Sequence, residues 1–200
     1  LESARERALR LMNPKAAAAF NLDEEDKSVR DAYGAGSFGQ GCLMARRLVE
    51  RGVSFVEVAL DGWDTHANNF ERVKDLSQQL DRGAATLLKE LRERGLLQDT
   101  LIVCQGESAR TPRINGQAGR DHWPSTWAMM LAGAGIRGGQ VVGKTSADGV
   151  SLDSKPTHTA DLMATIFRSI GLDPRKQNMS NVGRPIRLAD PIGEVVEELL

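Results

Sequence analysis

The chain has 200 residues, 40% of them hydrophobic, and a formal net charge of -1. That fits one ordinary globular domain or a large piece of one, and it gives no support to a strongly basic nucleic-acid binder or a polybasic membrane partner. No apolar run approaches the ~18 residues that a membrane span needs, and Cys42 and Cys104 match no zinc or redox spacing and read as core residues.

Residues 2–12 are charged with a helical pattern, ended by Asn13 and Pro14. A short apolar patch over residues 16–20 precedes a second helix over residues 23–33, which Gly34 stops. The third helix, residues 37–51, carries Phe38, Leu43, Met44 and Leu48 at near-helical spacing, with Gly52 as its C-terminal cap. It leads into residues 53–60, whose β-branched and aromatic side chains predict a strand, and then into a loop over residues 61–66.

From residue 69 to 94, Phe70, Val73, Leu76, Leu80, Leu87, Leu88 and Leu91 predict a long amphipathic helix closed by Gly95. Residues 101–104 and 126–131 predict two further strands, and Val141 with Val142 a short edge strand. A helix over residues 157–170 has Leu162, Ile166 and Ile170 on one face, and residues 192–200 predict a short amphipathic tail helix.

Helices alternating with strands at crossover length imply an α/β fold, a parallel sheet covered by helices in a three-layer sandwich. Three or four strands are few for such a sheet, and the chain opens on Leu1 in what reads as mid-helix sequence. Both features suggest a single α/β domain that is the carboxyl-terminal part of a larger one.

Ligands bind beyond the carboxyl ends of strands in such sheets. Two loops there pair carboxylates with histidines: Asp64 and His66 in one, Glu107, Asp121 and His122 in the other. Imidazole and carboxylate suit zinc, manganese or iron. An Asp in a loop is more often a turn or helix-cap residue, as Asp64 could be for the following helix, and His158 reads better as a helix-start residue than as a ligand.

Arg110, Arg113 and Arg120 follow Glu107, and guanidinium groups pair with phosphate, sulfate or carboxylate. They read equally as solvated residues or as partners of Glu107 and Asp121. Ser108 has no nucleophile elbow around it and reads as structural. The glycines at 133, 135, 138 and 139 lack the helix that a dinucleotide-binding loop requires.

Four motifs in order resemble the bacterial domain-of-unknown-function family 1501: Gly-Trp-Asp-Thr-His-x-Asn-Asn-Phe at 62–70, Gly-Glu then Arg-Thr-Pro within 106–112, Gly-Arg-Asp-His-Trp-Pro at 119–124, and Asp-Leu-x-Ala-Thr-Ile at 161–166. The run over residues 33–53 is similar to the same family. Ser108 and Ala109 stand where the family usually has Phe and Gly, and Met163 where it often has His.

The family in turn resembles the alkaline phosphatase and sulfatase superfamily. That resemblance implies metal ligation by Asp64 and His66, with His122 as a later ligand of the same site, Glu107 at the second metal position, and Asp121 as a contributor there. It implies a divalent metal, zinc ahead of manganese or calcium, and a hydrolase of phosphate or sulfate esters acting on a small anionic ester or sulfated glycan. Arg110, Arg113 and Arg120 would then meet the substrate's charge in catalysis. The superfamily's nucleophile and first metal-binding Asp would lie upstream of residue 1, and the intact protein would be exported to the periplasm. The alternative is a non-catalytic member that binds an anionic ligand, glycan or protein, favoured by Ser108 standing where a second-site histidine is expected.

Overall fold

The computed structural model describes residues 17–200, so the helix expected over residues 2–12 lies outside the described residues. The chain divides into two compact units. One holds the described residues up to Leu96 together with Gln117–Gly119, and the other holds Leu97–Gly116 and Arg120–Leu200.

The first unit is helical: α1 (Lys27–Tyr33), α2 (Ser37–Val49) and α3 (Asn69–Glu93). Glycines in the left-handed region follow these three helices, as expected: Gly34 at φ 91°, Gly52 at φ 80° and Gly95 at φ 70°. The expected helix start at residue 23 is instead a 3-10 turn, Leu22–Glu24, ahead of α1. Tyr33, Phe38, Cys42, Leu43, Leu87 and Leu91 form the core, as expected for Cys42. The close approach of α2 to α3 depends on Gly83, where a Cβ would stand 2.9 Å from the Phe38 ring.

Two arginines on α2 are buried, which apolar spacing does not anticipate. Arg46 pairs with Glu25 at 2.7 Å, Glu50 at 2.9 Å and Glu90 at 3.1 Å. Arg47 pairs with Glu24 at 2.7 Å and with Glu25, and its Nε donates to the Ala19 carbonyl at 2.9 Å. The arginines thereby tie the irregular segment before α1 onto α2. Met44 and Leu48, expected on the apolar face, are half-buried.

Burial pushes the Glu25 carboxyl up, but the Arg46 and Arg47 guanidinium groups paired with it outweigh this and hold the group below its ordinary value of 4.5. A carboxylate depressed in the folded state stabilises above its unfolded pKa and loses that contribution as pH falls through the folded one. We therefore expect the first unit to weaken from about pH 4.5 downward. Urea midpoints measured between pH 7 and pH 3 check this; a midpoint flat across that window would contradict it.

Residues 53–60 are extended and alternate in burial, with Val56, Val58 and Leu60 half-buried and Phe55, Glu57 and Ala59 exposed. Val58 packs on α2 at Gly41, where a Cβ would lie 2.9 Å from its Cγ1. The stretch has the expected strand period but forms no ladder, because the first unit has no second strand among its described residues.

In the second unit β1 (Ile102–Gln105) pairs antiparallel with β4 (Met129–Ala132), in the register Ile102↔Ala132 to Gln105↔Met129. The other ladders are β2 (Ala109–Arg110) with β3 (His122–Trp123) and β5 (Gln177–Met179) with β6 (Pro185–Arg187), both antiparallel. The parallel pairing expected from the sequence is therefore not among the described ladders. The reason for β1 and β4 is local: a loop rather than a helical crossover joins them, so the chain returns antiparallel. Cys104, expected in the core, is half-buried on β1.

One helix, α4 (Thr159–Ser169), completes the second unit. Asp161 Oδ2 accepts the His158 amide at 2.8 Å, and Asp161 Oδ1 accepts the Glu194 amide at 2.8 Å. Thr165 Oγ1 accepts the Val196 amide at 2.9 Å. These bonds hold the tail as an extended strap ending in a 3-10 turn, Glu197–Leu199, instead of the expected helix. Val141 and Val142 form no strand.

Candidate functional site

The first cluster of expected site residues is in the loop between residues 60 and 69. Gly62, at φ 102°, turns the chain out of the extended stretch. Thr65 is fully buried and donates to Asn69 Oδ1 at 2.6 Å, which ties the loop to the first turn of α3. Arg72, one turn on, donates to the Gly62 carbonyl at 3.0 Å.

A second strap comes from Gln117–Gly119. The Asn68 amide donates to the Gln117 carbonyl at 3.2 Å and the Asn69 amide to the Ala118 carbonyl at 3.0 Å. Gly119 passes so close that a Cβ there would stand 1.8 Å from the His66 carbonyl oxygen.

This framework sets Asp64 Oδ1 3.1 Å from His66 Nε2, with both side chains substantially exposed. Asn68, not Asp64, occupies the cap position of α3, and its side chain makes no cap bond. The capping alternative for Asp64 therefore falls away.

The second cluster is built on the β2–β3 ladder, in which Arg110 faces His122 and Ala109 faces Trp123. Glu107 Oε1 lies 3.0 Å from His122 Nδ1 and 3.6 Å from Arg110 Nη2. Arg120 Nη1 donates to the Thr111 and Pro112 carbonyls, both at 2.6 Å. The Asp121 amide donates to Thr111 Oγ1 at 3.1 Å, and its Oδ1 accepts from Asn115 at 3.1 Å. Asp121 and Arg120 thus shape the loop between β2 and β3, while Arg113 is exposed on it.

Ser108 Oγ donates to the Ala109 carbonyl at 3.2 Å, in keeping with a structural role. His158 precedes α4, where its amide is capped by Asp161. The expected site residues therefore form two carboxylate–imidazole pairs, Asp64 with His66 and Glu107 with His122.

Sequence reasoning missed two contributors. Gly119, buried against His66, has no periodic neighbours to mark it. The pairing of Arg110 with His122 depends on ladder register, for which two-residue strands leave almost no periodic signal.

The family model described as "Protein of unknown function (DUF1501)" matches residues 1–200, and the chain belongs to that family. No curated protein and no solved structure matches it.

Proposed function

We propose that this DUF1501 chain carries the metal-binding part of a hydrolase of phosphate or sulfate esters, of the alkaline phosphatase and sulfatase type, with Asp64 and His66 as ligands of one divalent cation and His122, as the resemblance implies, as a later ligand of the same site. The observation that carries the reading is the Asp64–His66 pair. Its 3.1 Å separation is close to the ~3.3 Å between adjacent ligands at ~2.0–2.1 Å on a tetrahedral zinc ion. The donor set of imidazole and carboxylate suits zinc ahead of manganese or calcium.

Chain connectivity supports counting His122 with that pair. Gly119 is docked on the His66 carbonyl, and His122 follows three residues later, a step that spans at most ~11 Å. On the same reading the fold is an α/β three-layer sandwich with a parallel sheet, and the intact protein is exported. Among the described residues no helix is long and apolar enough to cross a membrane.

When bound, a divalent cation would polarise the ester oxygen and stabilise negative charge on it. The chain's own groups supply position and charge. Arg113, exposed on the β2–β3 loop, would meet an anionic oxygen of the ester, while Arg120 holds the loop by its two carbonyls. Ser108, standing where the superfamily has a second-site histidine, favours a second reading, an anion-binding member without turnover.

Metal analysis after zinc loading tests the assignment. The full chain is expected to retain one zinc, and His66→Ala or His122→Ala to weaken binding on the order of 100-fold or more. Unchanged zinc content in both variants would remove the site. Hydrolysis of an ester panel by the zinc-loaded intact protein, nucleophile included, would then separate the two readings, since the anion binder predicts tight binding of inorganic sulfate without turnover.

A further inference from the structure

The two carboxylate–imidazole pairs have nearly equal lengths but different surroundings. Asp64 approaches Nε2 of His66, whereas Glu107 approaches Nδ1 of His122. The same Glu107 oxygen also lies 3.6 Å from the Arg110 guanidinium. Arg110 and His122 are directly opposite in the β2–β3 ladder, so backbone pairing brings guanidinium, carboxylate and imidazole together.

A carboxylate facing a guanidinium is a poor ligand for a divalent cation, which would have to enter beside a fixed positive charge. It remains a good acceptor for a ring N–H. Histidines that bind metals commonly donate their other ring N–H to a carboxylate, which fixes tautomer and orientation.

We infer that Glu107 is a positioning residue whose carboxylate accepts the Nδ1–H of His122, sets the ring, and makes Nε2 the nitrogen that coordinates. A neutral imidazole carries one N–H, so holding it on Nδ1 places the lone pair on Nε2. Arg110 steadies Glu107 from the opposite strand. The role rests on the metal reading of His122 for its purpose, and on the Glu107–His122 geometry alone for the tautomer. It moves Glu107 from the ligand position implied by resemblance to a place behind the ligand.

Nitrogen NMR of the His122 ring in the metal-free full chain, at a pH where the ring is neutral, reads the tautomer. Wild type is expected in the Nδ1–H form. Glu107→Ala is expected to release it toward the Nε2–H form, and Glu107→Gln, whose amide oxygen still accepts the N–H, to keep it. The Glu107 side chain is 69% exposed, so its removal leaves the fold in place.

Zinc titration of the same proteins gives the second readout. Glu107→Ala is expected to lose about 10–100-fold in affinity and Glu107→Gln no more than about 3-fold. A Gln variant that loses as much as the Ala variant while keeping its tautomer would make Glu107 a direct ligand and overturn the inference. Wild-type His122 in the Nε2–H form would overturn it as well. If wild type binds no zinc, the metal reading falls, and the tautomer series still decides whether Glu107 sets the ring.

Discussion

Replacing Arg46 with alanine is expected to cost about 3–5 kcal/mol, the usual penalty when one partner of a buried charge cluster is removed. Arg46 is 1% exposed and faces three carboxylates, Glu25, Glu50 and Glu90, none more than 23% exposed. Tyr33 donates its hydroxyl to Glu90 at 3.2 Å, and burial together with the Glu90 charge pushes the phenol well above its ordinary range. Without the guanidinium, the three carboxylates would repel one another in a half-dry site.

Part of the attraction is Coulombic rather than directional. Nε and Nη2 of Arg46 lie within ion-pair distance of Glu90 and Glu25 but lack hydrogen-bond alignment, while Nη1 donates to Glu50 at 2.9 Å. Arg46→Met separates charge from volume, because it keeps most of the apolar stem. Arg46→Lys is expected to recover only part of the loss, since one ammonium cannot present a planar fork to three acceptors. Urea unfolding at pH 7 checks the magnitudes, and at pH 4 the Arg46→Met penalty is expected to shrink as Glu25, no longer held low by Arg46, takes up a proton in the variant. A loss below about 1 kcal/mol at pH 7 would show that the cluster contributes little.

How far the fold could be read from the sequence follows from how far each signal reaches along the chain. Local signals worked: Gly34, Gly52 and Gly95 mark helix ends because only glycine takes a left-handed conformation without cost. The spacing of Leu76, Leu80, Leu87 and Leu91 likewise marks α3. Non-local pairing did not show. Arg46 and Arg47 look like solvated helix residues until Glu24, Glu25 and Glu90, distant in sequence, close around them. The β5–β6 hairpin was missed because its strands are three residues each and exposed on both faces, so no alternation marks them. The tail over residues 192–200 has a helical pattern, but Asp161 and Thr165 take its amides and hold it extended.

The site shows the same division. Asp64 with His66 is legible because a single residue separates them, and that residue, Thr65, anchors the loop. Glu107 with His122 is fifteen residues apart, and only the β2–β3 register closes that distance. The resemblance to a superfamily metal position gave Glu107 a ligand's role. The neighbouring Arg110 argues for a supporting one.

Gly119→Ala is the second substitution expected to have a large effect, and unlike Arg46→Ala it acts on the site. A methyl group at Gly119 would meet the His66 carbonyl oxygen at 1.8 Å, its carbon at 2.0 Å and the Ala67 nitrogen at 2.6 Å. All three are backbone atoms, so no side chain can rotate away, and the strap over Gln117–Gly119 must lift. Lifting it breaks the amide bonds from Asn68 and Asn69. Overpacking and the two lost bonds together should cost about 3 kcal/mol or more. Gly116→Ala is the control, because nothing lies within 4 Å of a Cβ there and it should change stability by less than about 0.5 kcal/mol. Amide exchange at Asn68 and Asn69 is expected to accelerate in Gly119→Ala alone. Zinc retention should fall with it, because the strap holds the His66 backbone and leads three residues on to His122. Equal exchange and equal zinc content in the two variants would show that the strap does not hold the His66 loop.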